Sequence, residues 1–160
     1  MIEDTLEYLE KTLDVEGMCE FTRSFVDDLD SAMRIDVDLE SDSEWTGVIF
    51  LGMGGSGASG KFLKTISEED GGLPFVVWND YSLPRWWGPE WLVIATSYSG
   101  NTEETLSGIN EALELGGTVI GISSGGAMTE ILAMYQEAVH VPFQGGRCRG
   151  LHSVTSSEPN

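Results

Sequence analysis

The sequence predicts an α/β fold: a three-layer sandwich built on a five-stranded parallel sheet and preceded by two N-terminal helices. Three observations predict it. Short apolar runs recur at 48–51, 75–78, 92–95, 118–122 and 138–141, the first three wholly apolar. Segments of helical length, 57–66, 102–115 and 127–136, lie between them. Clusters of glycine and serine follow the first, third and fourth runs directly. Strands without polar alternation are buried on both faces, as in a parallel sheet whose crossover helices cover it. Such crossovers are right-handed.

The elements follow in order. Ile2, Leu6, Leu9 and Leu13 recur at helical spacing with acids between them, which predicts an amphipathic helix over 2–14. Met18, Phe21, Phe25, Leu29 and Met33 make a second stripe, over 18–34. Both stripes are expected to face a core. Residues 36–46 are acidic and serine-rich and read as a linker. The organisation is therefore an N-terminal helical segment, 1–46, packing on an α/β domain, 47–146. A tail over 147–160 has no periodicity and is expected to be disordered.

Composition narrows the function. The chain has 160 residues, enough for one domain with a real core. Its 27 acidic and 8 basic residues give a net charge of −19. That balance opposes nucleic acid and anionic membrane surfaces as partners, since both need clustered Lys and Arg. It does not oppose a small anion, because backbone dipoles act at contact while diffuse charge is screened over about 10 Å. No apolar run reaches the roughly 18 residues of a membrane span. The acidic start, Met1-Ile-Glu-Asp4, is unlike a signal peptide, so a cytoplasmic protein is expected. Cys19 and Cys148 fit no metal spacing and are expected to be free thiols.

In parallel α/β sheets ligands sit beyond the carboxyl ends of the strands. After the first run comes Gly52-Met-Gly-Gly-Ser-Gly57. Glycines allow a sharp turn and close approach to bare backbone, and the next helix aims free N–H groups at that space. Three readings are open. Gly52, Gly54 and Gly57 satisfy a dinucleotide fingerprint, with Asp80 as the ribose acid. Gly55, Gly60 and Lys61 satisfy most of a P-loop, but Phe62 replaces the Ser or Thr that holds Mg²⁺. A tight turn without ligand is the third. After the third run, Ser97, Ser99 and Thr102 place three hydroxyls at a strand end and helix start. Gly100 allows a tight turn there, and Asn101 or Thr102 can cap the helix. Hydroxyls and backbone N–H groups can hold a phosphate without Lys or Arg; ordinary N-capping is the plainer alternative. Glu103 and Glu104 lie in the first helical turn, where they complement the macrodipole.

Four segments carry a resemblance: Gly52–Gly57, Asp80-Tyr-Ser-Leu-Pro84, Ser97-Tyr-Ser-Gly-Asn-Thr102 and Ile122-Ser-Ser-Gly-Gly126. In order and spacing they resemble the N-terminal sugar-isomerase (SIS) domain of the bifunctional phosphoglucose/phosphomannose isomerase family, over about residues 1–146. The resemblance implies a flavodoxin-like or Rossmann-like domain. It implies an aldose–ketose isomerase that interconverts fructose 6-phosphate with glucose 6-phosphate and mannose 6-phosphate through a cis-enediol. The family uses no metal or other cofactor, binds substrate between two similar domains, and is dimeric. Carried over, Ser97, Ser99 and Thr102 hold the sugar phosphate, Gly54, Gly55 and Ser56 line the sugar, and Ser123 joins the wall, with Ser124 beside it.

The chain departs from the family after its fifth run. The family continues with a Pro-Arg-Ala-Ala type segment whose arginine stabilises enediolate charge. Here the sequence is Gln144-Gly-Gly-Arg-Cys-Arg-Gly-Leu-His152, which leaves Arg147 as the candidate catalytic arginine, with Arg149 close by. One choice of codons for Gly146–His152, read in another frame, encodes the family segment, so a frameshift is the expected cause. The family's glutamate base, histidine and lysine belong to a second half, and no residue here is assigned to them. His140 and His152 read as structural or incidental. Two other functions remain open: a non-catalytic phosphosugar-sensing module, and a dinucleotide-binding domain.

Overall fold

The computed structural model describes residues 18–34 and 44–143, with residues 5, 8, 9, 12 and 13 before them. The expected tail, and with it Arg147, lies outside the described residues. The chain divides into an N-terminal unit ending at Asp36 and a sheet unit of Val37–Gln144.

In the N-terminal unit, residues 5, 8, 9, 12 and 13 are helical. Helix α1 spans Met18–Ala32. Arg34 closes its end by an i,i+4 ion pair to Asp30 at 2.8 Å. Phe25, Leu29 and Met33, expected to face a core, are exposed.

The sheet unit contains β1 (Gly47–Leu51), α2 (Gly54–Glu69), β2 (Phe75–Trp78), β3 (Trp91–Thr96), α3 (Glu103–Glu114), β4 (Val119–Ser123), α4 (Ala127–Leu132) and β5 (Ala138–Pro142). All five strands are parallel, in the order β2-β1-β3-β4-β5. Every strand lies within a residue or so of its apolar run; the inner strands β1, β3 and β4 carry the buried residues, and the edge strands β2 and β5 are half-buried.

The strand order sorts the connections. The chain steps one way from β1 to β2, then reverses and continues through β3, β4 and β5. With right-handed crossovers, α2 must lie on one face and the other connections on the opposite face. Packing agrees. Phe50, on one face of β1, lies against Gly60 of α2 so closely that a Cβ at Gly60 would strike its ring. Ile49 and Leu51, on the other face, join Ile109, Ala112 and Leu113 of α3 and Met128 and Leu132 of α4 in the main core.

The β2–β3 connection has no helix. Leu83 and Trp87 from this stretch enter the core in the place a helix would fill. Its backbone is satisfied from α3: Ser82 N–H donates to Ser107 Oγ (3.1 Å) and Leu83 N–H to Glu111 Oε2 (2.6 Å). Trp78 Nε1 donates to Ser82 O at 2.9 Å. Buried N–H groups need such partners, and here side chains supply them.

Two helices differ from expectation. Helix α2 begins at Gly54 rather than 57: Gly60 is buried against Phe50 of β1 and Gly57 against Gly52 and Asn79, and packing outweighs glycine's poor propensity. Helix α4 ends at Leu132 rather than 136. Bonds of the i→i+3 kind, Met134 N–H to Ile131 O and Tyr135 N–H to Leu132 O, tighten its last turn and seat Tyr135 against the core. Helix α3 ends at Glu114, within a residue of its expected segment, and a Schellman motif closes it: Gly116 (φ 78°) donates to Leu113 O and Gly117 to Ala112 O. No helix among the described residues is long and apolar enough to cross a membrane.

Candidate functional site

The reversal of direction falls between the carboxyl ends of β1 and β3, which is where ligands sit in sheets of this order. The first two glycine- and serine-rich loops leave the sheet on either side of that point. The third follows β4, the next strand.

After β1 the chain turns through Gly52 and Met53 into α2. Gly54 takes a left-handed φ of 53°, which glycine adopts without strain. A Cβ at Gly54 or Gly55 would meet nothing within 4 Å, so the space above them is open. Met53 stands at the N-cap, and no side chain caps the helix. Gly57 is pressed against Asn79 and the carbonyl of Gly52, and Asn79 Nδ2 donates to that carbonyl. Asn79, at the end of β2, thus ties down the first loop; sequence reasoning did not single it out. Asp80 Oδ1 accepts the N–H of its neighbour Tyr81 at 2.8 Å.

The second loop is built differently from ordinary capping. Thr102 occupies the N-cap of α3 with extended backbone, yet makes no side-chain cap bond. Its hydroxyl pairs with that of Ser97 at 2.8 Å instead. Asn101 does not cap α3 either: its Oδ1 accepts the N–H of Ala127, at the start of α4, at 2.9 Å. The expected plainer alternative therefore fails, and the N-terminus of α3 is left without a side-chain cap. Ser97 is buried, Thr102 half-buried and Ser99 exposed.

Three successive carbonyls of this loop find donors. Tyr98 O accepts from Ser124 N–H (3.0 Å) and Ser124 Oγ (2.6 Å). Ser99 O accepts from Asn101 Nδ2 (3.1 Å), and Gly100 O from Met128 N–H (3.0 Å). Gly100 (φ 67°) has its α-carbon against the backbone of Gly125, and Gly126 (φ 75°) against Ser99. With the carbonyls paired, hydroxyls and N–H groups are what the loop can offer an anion.

Ser123, expected in the sugar wall, is fully buried. Its hydroxyl donates to Gly125 O (2.9 Å) and contacts His140 Nε2 (2.9 Å). Ser123 therefore braces the third loop internally and to β5, and Ser124 ties that loop to the second. His140 acts from β5 as part of that brace, reaching Thr129 Oγ1 at 3.4 Å as well.

Charge near the loops is negative. Glu103 and Glu104 lie in the first turn of α3. The phenol of Tyr81 donates to Glu103 Oε2 at 3.2 Å, and this bond, with the charge of Glu104, raises the Tyr81 pKa above its ordinary value. Among the described residues no three His, Cys, Asp or Glu side chains converge as a metal site.

The SIS domain model matches residues 43–133, from the linker through α4. The chain belongs to the SIS domain family. Two relatives match about half of the chain. A bifunctional phosphoglucose/phosphomannose isomerase of Caldicellulosiruptor bescii is 42% identical over 83 residues, 52% of this chain and 24% of that protein. One of Aquifex aeolicus is 42% identical over 87 residues, 54% of this chain and 27% of that protein. The matched stretch thus spans about a quarter of these relatives. The fold is shared with the tagatose-6-phosphate ketose/aldose isomerase of Escherichia coli, at a TM-score of 0.54 and 18% identity, over 79% of this chain and 35% of that one.

Proposed function

We propose that this SIS domain grips the phosphate of a hexose phosphate, as the phosphate-holding part of an aldose–ketose isomerase acting on fructose 6-phosphate, glucose 6-phosphate and mannose 6-phosphate. The observation that carries the reading is the Thr102 hydroxyl. It sits at a helix N-cap, leaves the helix uncapped, and pairs with Ser97 beside an exposed Ser99. An uncapped N-terminus and a cluster of hydroxyls suit a phosphate and spare it the cost of displacing a cap. Relatives named for phosphoglucose and phosphomannose support the sugar.

In this reading Ser97, Ser99 and Thr102 hold the phosphate, and the bare backbone of Gly54 and Gly55, with Ser56, lies along the sugar. Proton transfer next to a carbonyl needs a base within about 3 Å and a stabiliser for the enediolate. The described residues supply the grip; Arg147 is the candidate stabiliser. The working enzyme is a dimer with substrate between two such domains.

Thermal melting tests the grip, with fructose 6-phosphate as ligand and NADH as control. Ligand at about 100 times its Kd should stabilise the fold by about 2.7 kcal/mol, and Ser99→Ala should abolish the shift. A rise with NADH alone would replace this reading by the dinucleotide one.

A further inference from the structure

We propose that Asn101 is a positioning residue that sets the Ser99 hydroxyl for anion binding, an inference that rests on the phosphate reading above. Three bonds meet at this one residue. Its backbone N–H donates to Ser99 Oγ at 3.2 Å. Its Nδ2 donates to Ser99 O at 3.1 Å. Its Oδ1 accepts Ala127 N–H at 2.9 Å. The first bond occupies a lone pair of the Ser99 oxygen, so the hydroxyl hydrogen is left to donate. The second bond folds the side chain back on the Ser99 peptide and fixes the turn at the left-handed Gly100. The third anchors the turn to α4, which the main core holds through Met128 and Leu132. An exposed serine hydroxyl otherwise samples three rotamers and donates in any direction. Here the hydroxyl is turned into a donor before any anion arrives, which reduces the ordering cost of binding. The same arrangement disfavours ligands that need an acceptor at this point.

The roles separate by substitution. Asn101→Ala removes both side-chain bonds. Asn101→Asp keeps an acceptor for Ala127 N–H and loses the donor to Ser99 O. Two measurements on the full chain are needed. The first, without ligand, is the α–β proton coupling of Ser99 by NMR. The wild type should show one χ1 rotamer, and both variants should show averaging, although Asn101→Asp keeps the melting temperature near wild type. The second is the Kd for inorganic phosphate by NMR titration well below the melting temperature. Asn101→Ala should weaken it about tenfold, the loss expected for one misdirected hydrogen bond. An unchanged rotamer in both variants overturns the proposal. So does an averaged rotamer with unchanged phosphate affinity. If the wild type binds no phosphate, the phosphate reading and the anion role of Asn101 fall together, whereas phosphate binding with an unmoved Asn101→Ala value sinks only the positioning role.

Discussion

Gly100→Ala tests whether the second and third loops form one rigid body. A Cβ at Gly100 would land on the carbonyl of Gly125, with its carbon at 2.8 Å and Ser123 Oγ at 3.3 Å. The obstacle is backbone, so no rotamer change can relieve it; the loops must part. Parting them breaks the bonds from Met128 N–H to Gly100 O and Ser124 N–H to Tyr98 O. It also breaks the bond from Ala127 N–H to Asn101 Oδ1. At about 1 kcal/mol each these contribute roughly 3 kcal/mol. The left-handed φ of 67° adds about 1–2 kcal/mol for any residue with a Cβ. The expected loss is about 4–5 kcal/mol. Gly116→Ala is the control: its φ is 78°, but a Cβ there meets nothing within 4 Å. It should lose only the conformational part, about 1–2 kcal/mol. Urea unfolding followed by circular dichroism measures both. Equal losses in the two variants would refute the interlock.

Leu132→Ala, at a fully buried site packed toward Gly121, should cost about 2–5 kcal/mol, read as a lower urea midpoint with unchanged slope. The Tyr81 phenol should titrate above its ordinary 10.0 in an ultraviolet pH titration, and Glu103→Gln should bring it back down. Because the folded pKa is the higher one, the Tyr81–Glu103 contact contributes fully below about pH 10 and is lost as pH rises through the raised value. An alkaline midpoint of unfolding indifferent to Glu103→Gln would remove that contact from the account.

The strands were legible because their runs are short and almost wholly apolar, as in Val48–Leu51 and Leu92–Ala95, and a covered parallel sheet accommodates such runs. The four motif loops were legible for a related reason: turn residues crowd the strand ends where they are needed. The start of α2 was not, because Gly54 and Gly55 have poor helix propensity and their helical state depends on what α2 packs against. The contacts of Ser123 with Gly125 and His140 were not legible, because those residues come together only in the fold. Asn79 and Asn101 each reach distant backbone through a side-chain bond, at Gly52 and Ala127, and such bonds leave no periodic trace in a sequence.

The helix-free crossing from β2 to β3 has an evolutionary consequence. Ser107 and Glu111 of α3 serve the backbone of Ser82 and Leu83, while Glu103 takes the phenol of Tyr81. Three successive turns on one side of α3 are thus fitted to a single irregular segment. A lineage that lengthens that segment, or replaces it with a helix, must rewrite positions 103, 107 and 111 together. Drift should therefore be correlated between the two stretches, and a chimera that exchanges one without the other should fold poorly.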